Sequence, residues 1–119
     1  MKSLSPTFRT FWLLVPLALV GCKSPDVYYW GHYESVVYAI CAKPGNTSPE
    51  QMASQLEEDK HKAASANKPL PPGFHAQLGN LYAQIGKTDE ARREYLLEKQ
   101  NYPESAVFMD AFLGNPPKK

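Results

Sequence analysis

The chain has 119 residues, 43% of them hydrophobic, with 13 Lys+Arg against 12 Asp+Glu. That length accommodates one small domain. A net charge of +1 leaves no basic footprint for nucleic acid, and two cysteines exclude a disulfide-dense scaffold and a four-cysteine zinc site.

In chain order, Lys2 and Arg9 place positive charge ahead of Phe11–Val20, an uncharged and mostly apolar run. A bilayer-spanning helix needs about 20 such residues, so this run is too short to cross but suits a secretory signal core. It ends in Leu19-Val20-Gly21-Cys22, which resembles the lipobox of bacterial lipoproteins. The resemblance implies that the Cys22 thiol receives a diacylglycerol group, that the chain is cut before it, and that the new N-terminus is acylated. More than one acyl chain gives stable anchoring where a single chain does not. In such lipoproteins Asp after the Cys favours the inner membrane; Lys23 and Ser24 follow here, implying the periplasmic face of the outer membrane. Residues 1–21 are thus expected to be a signal peptide and 22–28 the lipidated N-terminus and tether.

Removing 21 residues leaves Cys22–Lys119, 98 residues with 11 basic and 12 acidic side chains, net −1. Such near-neutrality argues against strong attraction to anionic lipid or nucleic acid. Cys41, the one thiol left free, sits in the apolar stretch Val36–Ala42 and is expected to be a small buried residue.

The domain is expected over 29–113. From Tyr29 to Ala42, Trp30, Tyr33, Val37, Ile40 and Cys41 recur at helix-like intervals, although the β-branched and aromatic content equally permits a strand. Lys43–Thr47 reads as a turn. Ser48, Pro49 and Gln51 form the N-cap, N1 and N3 positions of a capping box opening a helix to about Ala66. Within it, Glu57–Lys62 reads as a solvated charged face, with Glu58 and Lys62 an i,i+4 pair. Three prolines and a glycine in Asn67–Gly73 break the chain. Phe74, Leu78, Leu81, Tyr82 and Ile85 then form one helical stripe, closed by Gly86. Thr88 is expected to cap the next helix, with Asp89 and Glu90 in its first turn and Tyr102-Pro103 as its stop. A short helix over Glu104–Leu113 carries Phe108, Met109 and Phe112 as an end cap, and 114–119 is a polar tail.

With Pro72 as the first position of a 34-residue unit, Leu78, Gly79, Tyr82, Gly86, Ala91, Tyr95 and Pro103 fall in register with a tetratricopeptide repeat, which this segment resembles. The family's small residues, here Gly79 and Ala91, allow a close helix crossing that Tyr82 and Tyr95 flank. His75 replaces the family's Trp, and Glu98 replaces a small residue that the following helix packs against. The resemblance implies an all-α fold of antiparallel helical hairpins, about one and a half to two repeats, with a C-terminal capping helix. Residues 29–66 are at most a degenerate first repeat.

Tyr28-Tyr29-Trp30-Gly31, Thr47-Ser48-Pro49-Glu50, Leu70-Pro71-Pro72-Gly73 and Pro103-Glu104-Ser105 are similar to features of a small bacterial lipoprotein family of unknown function. That resemblance implies gene neighbourhoods that often contain a lipoprotein similar to the curli secretion channel; no biochemical role comes with it, and an accessory place in such an envelope assembly is an expectation from the neighbourhood alone.

Catalytic signatures are sparse. His32, His61 and His75 lack metal-ligand spacing, and Ser65-Ala66-Asn67-Lys68 matches Ser-x-x-Lys without its companion motifs. Neither enzymatic activity, cofactor nor metal is expected. Tyr28, Tyr29, Trp30 and Tyr33 are a candidate partner surface, because aromatic residues dominate interface hot spots; a small core also needs such side chains. The expected function is a non-catalytic interaction or scaffold module on the outer membrane. It would contact the membrane through its lipid and bind another envelope protein or a second copy. The alternative is a small-ligand or peptidoglycan-binding lipoprotein.

Overall fold

The computed structural model describes residues 26–114. The expectations for the signal peptide, for Leu19, Val20, Gly21 and Cys22, and for the tail beyond Gly114 therefore lie outside the described residues. Among the described residues the chain is all-helical: α1 (Tyr33–Ala42), α2 (Pro49–Ser65), α3 (Phe74–Gln84), α4 (Thr88–Asn101), a 3₁₀ turn (Pro103–Ser105) and α5 (Ala106–Phe112).

The helix-or-strand ambiguity of the first element resolves to a helix, which begins at Tyr33 rather than Tyr29. Gly31, at φ +46°, turns the chain, and the preceding segment runs beside the proline-rich loop, where the Tyr29 N–H donates to the Pro69 carbonyl at 2.8 Å. The buried face is set by Val36, with Tyr33, Ala39 and Ile40 packed around it. Cys41 follows Val36 by five residues, about 140° further round a helix of 3.6 residues per turn. It is consequently exposed, not buried as its apolar context suggests.

The start of α2 is closed by the expected capping box: the Gln51 N–H donates to Ser48 Oγ at 3.2 Å, and the Ser48 N–H donates to Gln51 Oε1 at 3.4 Å. Its other end is a Schellman turn built on Asn67 at φ +51°, whose N–H donates to Ala64 while that of Lys68 donates to Ala63. Met52, Ala53, Leu56 and Ala63 face inward. Asp59 lies three residues after Leu56, on the same face, and is fully buried, so Glu57–Lys62 is not a solvated face throughout. Glu58, His61 and Lys62 are the exposed part of that run, and Glu58 and Lys62 pair at 2.6 Å.

Helix α3 carries the apolar stripe, with Phe74, Leu78 and Leu81 wholly buried against Val36, Met52, Ala53 and Leu56. Gly86, at φ +79°, completes a second Schellman turn: its N–H donates to Ala83, and the Lys87 N–H donates to Tyr82. The Lys87 carbonyl then accepts the first bond of α4, from Ala91. Lys87 is thus the N-cap and Thr88 the first helical residue, because the Schellman closure leaves no spare residue between the helices. The two helices lie antiparallel. Near the turn Gly79 meets Ala91 and Tyr95, and at the far end His75 meets Glu94 and Glu98. A methyl group at Gly79 would lie 2.6 Å from the Tyr95 ring and 3.2 Å from the Ala91 carbonyl oxygen.

Pro103 ends α4, and its 3₁₀ turn delays α5 to Ala106. Only Met109 of α5 is buried, packing with Ala91 and Tyr95, while Phe112 stacks on Tyr95 at 5.2 Å. The expected end cap is therefore partial: Val107, Phe108 and Phe112 remain exposed.

Candidate functional site: an apolar α5 groove and an aromatic end on a polar-locked core

Three buried acids join the helices. The helix begun by Gly73 has no side chain to cap it, so its first-turn N–H groups need acceptors from elsewhere. Glu98 supplies them from α4. Its carboxylate accepts the N–H of Gly73 at 2.7 Å, of His75 at 3.1 Å and of Ala76 at 3.3 Å. A buried anion at a helix N-terminus is also favoured by the helix dipole. The departure from the repeat pattern at this position thus faces back onto α3 instead of toward the following helix.

One turn earlier, Glu94 lies 2.6 Å from His75 Nδ1 and accepts from Lys60 Nζ of α2 at 2.6 Å. His75, the second departure, replaces an aromatic filler with a polar partner for this acid. Burial pushes the Glu94 carboxyl up, but the bonds and charges of His75 and Lys60 outweigh it, and its pKa lies below the usual value. Burial likewise disfavours the Lys60 ammonium, yet Glu94 and Glu57 together hold its pKa above the ordinary lysine range. Glu57 accepts from the Tyr82 hydroxyl, whose own pKa is pushed up by burial and by that acid.

Asp59 forms the third lock. It accepts the backbone N–H of His32 at 2.6 Å and lies 2.9 Å from His32 Nδ1, joining α2 to the segment before α1. Gly31 makes room for it: a Cβ there would sit 2.3 Å from the carboxylate. Among the described residues every buried side-chain nitrogen and oxygen has a partner. These acids and histidines therefore act as intramolecular locks. The sequence marks His75 and Glu98 only as departures from the repeat pattern and does not show the locks, because the helix pattern marks where apolar residues recur, whereas a buried acid is revealed only by its partner on another helix. No three His, Cys, Asp or Glu side chains converge as a metal cage requires among the described residues.

Two apolar surfaces stand out among the described residues. The first is a groove of about 430 Å³ between the start of α3, the end of α4 and α5, floored by Ala76 and Met109 and walled by Pro72, Tyr102, Phe108 and Phe112. Phe108 is 70% exposed, and Val107 beside it is also solvent-facing. Lys99 of α4 holds α5 in place through Asp110 at 2.7 Å, and the Tyr102 hydroxyl donates to the Leu70 carbonyl. The tyrosine is pushed up to about 12 by burial and by the neighbouring Tyr28 and Glu98.

The second surface is the aromatic end singled out in the sequence. Tyr28 meets Trp30 edge-on at 6.1 Å, Trp30 stacks on Tyr33 at 6.3 Å, and Tyr33 packs on the core residue Phe74 at 5.5 Å. Tyr28, Trp30 and Tyr33 thus form a ladder from surface to core, while Tyr29 is held by its backbone bond to Pro69. The seven repeat-pattern residues divide by role: Gly79, Ala91 and Tyr95 are buried at the crossing, Leu78 is buried on the side facing α1 and α2, Tyr82 is half-buried, and Gly86 and Pro103 shape the turns. No helix among the described residues is long and apolar enough to cross a membrane.

A family model described as "Domain of unknown function (DUF4810)" matches residues 27–112. No curated protein and no solved structure matches the chain.

Proposed function

The chain belongs to the family of the domain of unknown function DUF4810, and from that premise we propose that it is a non-catalytic interaction module, anchored by acylated Cys22 to the periplasmic face of the outer membrane. The observation that carries this reading is the outer face of α5. A seven-residue helix exposing Val107, Phe108 and Phe112 beside an apolar groove is the kind of patch that marks a protein-binding surface.

The tetratricopeptide reading supports a particular occupant. Repeats of this type bury their faces by stacking on the next unit, and about three are needed for a stable array. In that register α5 stands where the first helix of the next repeat would stand, and the companion helix is not supplied by the described residues. The vacant place suits an amphipathic helix of another envelope protein. A component of the curli-channel-like assembly implied by the family resemblance is the first partner to test.

The test is site-specific photo-crosslinking in intact cells. A crosslinker at Phe108 is expected to give one discrete adduct with a second envelope protein, and a crosslinker at exposed Glu58 is expected to give none. An adduct with another copy of this chain would assign the face to self-association. Absence of any adduct from Phe108 and Val107 would overturn the assignment.

A further inference from the structure

We propose that the aromatic end of the domain, formed by Val27, Tyr28 and Trp30, rests in the headgroup region of the bilayer that holds Cys22; this inference rests on the lipidated reading of Cys22. The first argument is reach. Tyr29 is fixed to the domain by its bond to Pro69. Seven residue steps separate it from Cys22, about 25 Å when fully extended and roughly 15 Å as a relaxed coil. Helix α2 alone, with 17 residues, is about 26 Å long. The tether is therefore no longer than the body it holds, and it keeps this end of the domain within about 25 Å of the membrane surface.

The second argument is what that end displays. Val27 is 68% exposed and Trp30 37% exposed, although both are apolar enough to be expected inside. Trp and Tyr favour the membrane–water interface, where a ring meets acyl chains and a polar edge meets headgroups. The ladder through Tyr33 to Phe74 gives these rings a rigid backing, so docking orders little that is not already ordered. A protein partner on the same surface would have to fit between domain and bilayer within the reach of the tether.

Charge adds little. Exposed Lys68 adjoins Pro69 and makes no ion pair among the described residues, but exposed Asp26 lies beside Val27 on the same segment. The contact accordingly depends on aromatic and aliphatic surface, and its salt dependence should be weak.

Trp30 is its own reporter, because Trp12 leaves with the signal peptide. Mature lipidated protein would be reconstituted in vesicles of phosphatidylethanolamine and phosphatidylglycerol, some carrying acyl chains brominated near the headgroup. Trp30 emission should be quenched by the brominated lipid to the same extent at low and high salt. Val27→Ser with Tyr28→Ser should reduce that quenching while helicity stays unchanged. A Gly/Ser spacer of about 20 residues inserted after Ser24 should reduce it further, since effective concentration falls as the tether lengthens, while the protein still floats with vesicles. Protein that floats but leaves Trp30 unquenched by brominated lipid and open to acrylamide would overturn the membrane contact and leave the anchor intact. Protein that fails to float and shows no acyl mass on Cys22 would overturn the anchor, and the contact with it.

Discussion

Glu98, on the fourth helix, caps the N-terminus of the third by accepting the Gly73 N–H at 2.7 Å. Capping normally comes from the residue that precedes the helix. Here the preceding residue is a glycine at φ +88°, and a buried acid 25 residues later does the work across the helix pair. The same carboxylate also accepts from His75 and Ala76, so a single side chain ties the first turn of α3 to the body of α4.

Glu98→Ala should destabilise the domain by about 1–3 kcal/mol, because it leaves buried N–H groups without an acceptor. Glu98→Gln keeps one acceptor oxygen and should cost less. Urea denaturation followed by circular dichroism ranks the three proteins; equal midpoints for wild type and Glu98→Ala would remove the cap from the account.

The Glu94 triad gives stability a defined pH dependence. Its folded-state pKa lies below the ordinary value of 4.5. The stabilisation is therefore fully present above about pH 4.5 and lost as pH falls through the lower folded value. Lys60 is shifted the other way, above 10.5, so its contribution is present below that value and lost as pH rises through the folded pKa. Denaturation midpoints should fall on the acid side as Glu94 is protonated and on the alkaline side as Lys60 loses its proton. Glu94→Gln should flatten part of the acid limb. An unchanged acid limb in that variant would assign the loss to other carboxylates.

The close crossing of α3 and α4 is sensitive to a single methyl group. Gly79→Ala gains about 1 kcal/mol of helix propensity, but the new Cβ meets the Tyr95 ring and the Ala91 backbone oxygen. Tyr95 must shift, and overpacking of about 1–3 kcal/mol should win. Ala91→Trp should be worse, whereas Ala66→Trp, at an exposed C-cap, should be tolerated. Melting temperatures of the three variants settle the register. A Gly79→Ala protein as stable as wild type would mean that Tyr95 moves freely, against its hydrogen bond to Asn80.

The anchor is tested at its thiol. Cys22→Ser should abolish acylation and leave an uncleaved precursor, read by labelling cells with a fatty-acid analogue. Lys23→Asp should move the protein toward the inner membrane on a density gradient. Undiminished label in Cys22→Ser would sink the lipoprotein reading, whereas an unchanged gradient for Lys23→Asp would sink the sorting rule alone.

Local signals in the sequence carried the helices and several of their ends, although α1 starts at Tyr33 and not Tyr29, and Lys87, not Thr88, is the N-cap of α4. The capping box at Ser48, the turn at Gly86, the stop at Pro103 and the stripe of Phe74, Leu78 and Leu81 were legible because each depends on residues within a turn or two of one another. Three features waited on the tertiary structure. The phase of α1 was ambiguous, since apolar residues surround it, and only its seat against α2 and α3 selects Val36 as the buried residue and leaves Cys41 exposed. Asp59 and Glu94 read as ordinary charged helix positions and Glu98 as a departure from the repeat pattern; each becomes a buried lock only because His32, Lys60, His75 or an uncapped helix start arrives from elsewhere in the chain. The exposed face of α5 was likewise undetermined, because Met109, Phe108 and Phe112 are equally apolar, and only the packing against Ala91 and Tyr95 on α4 selects Met109 as the residue turned inward. Spacing along a chain fixes which residues share a helix face; the partner that meets that face is set by packing between segments far apart in sequence.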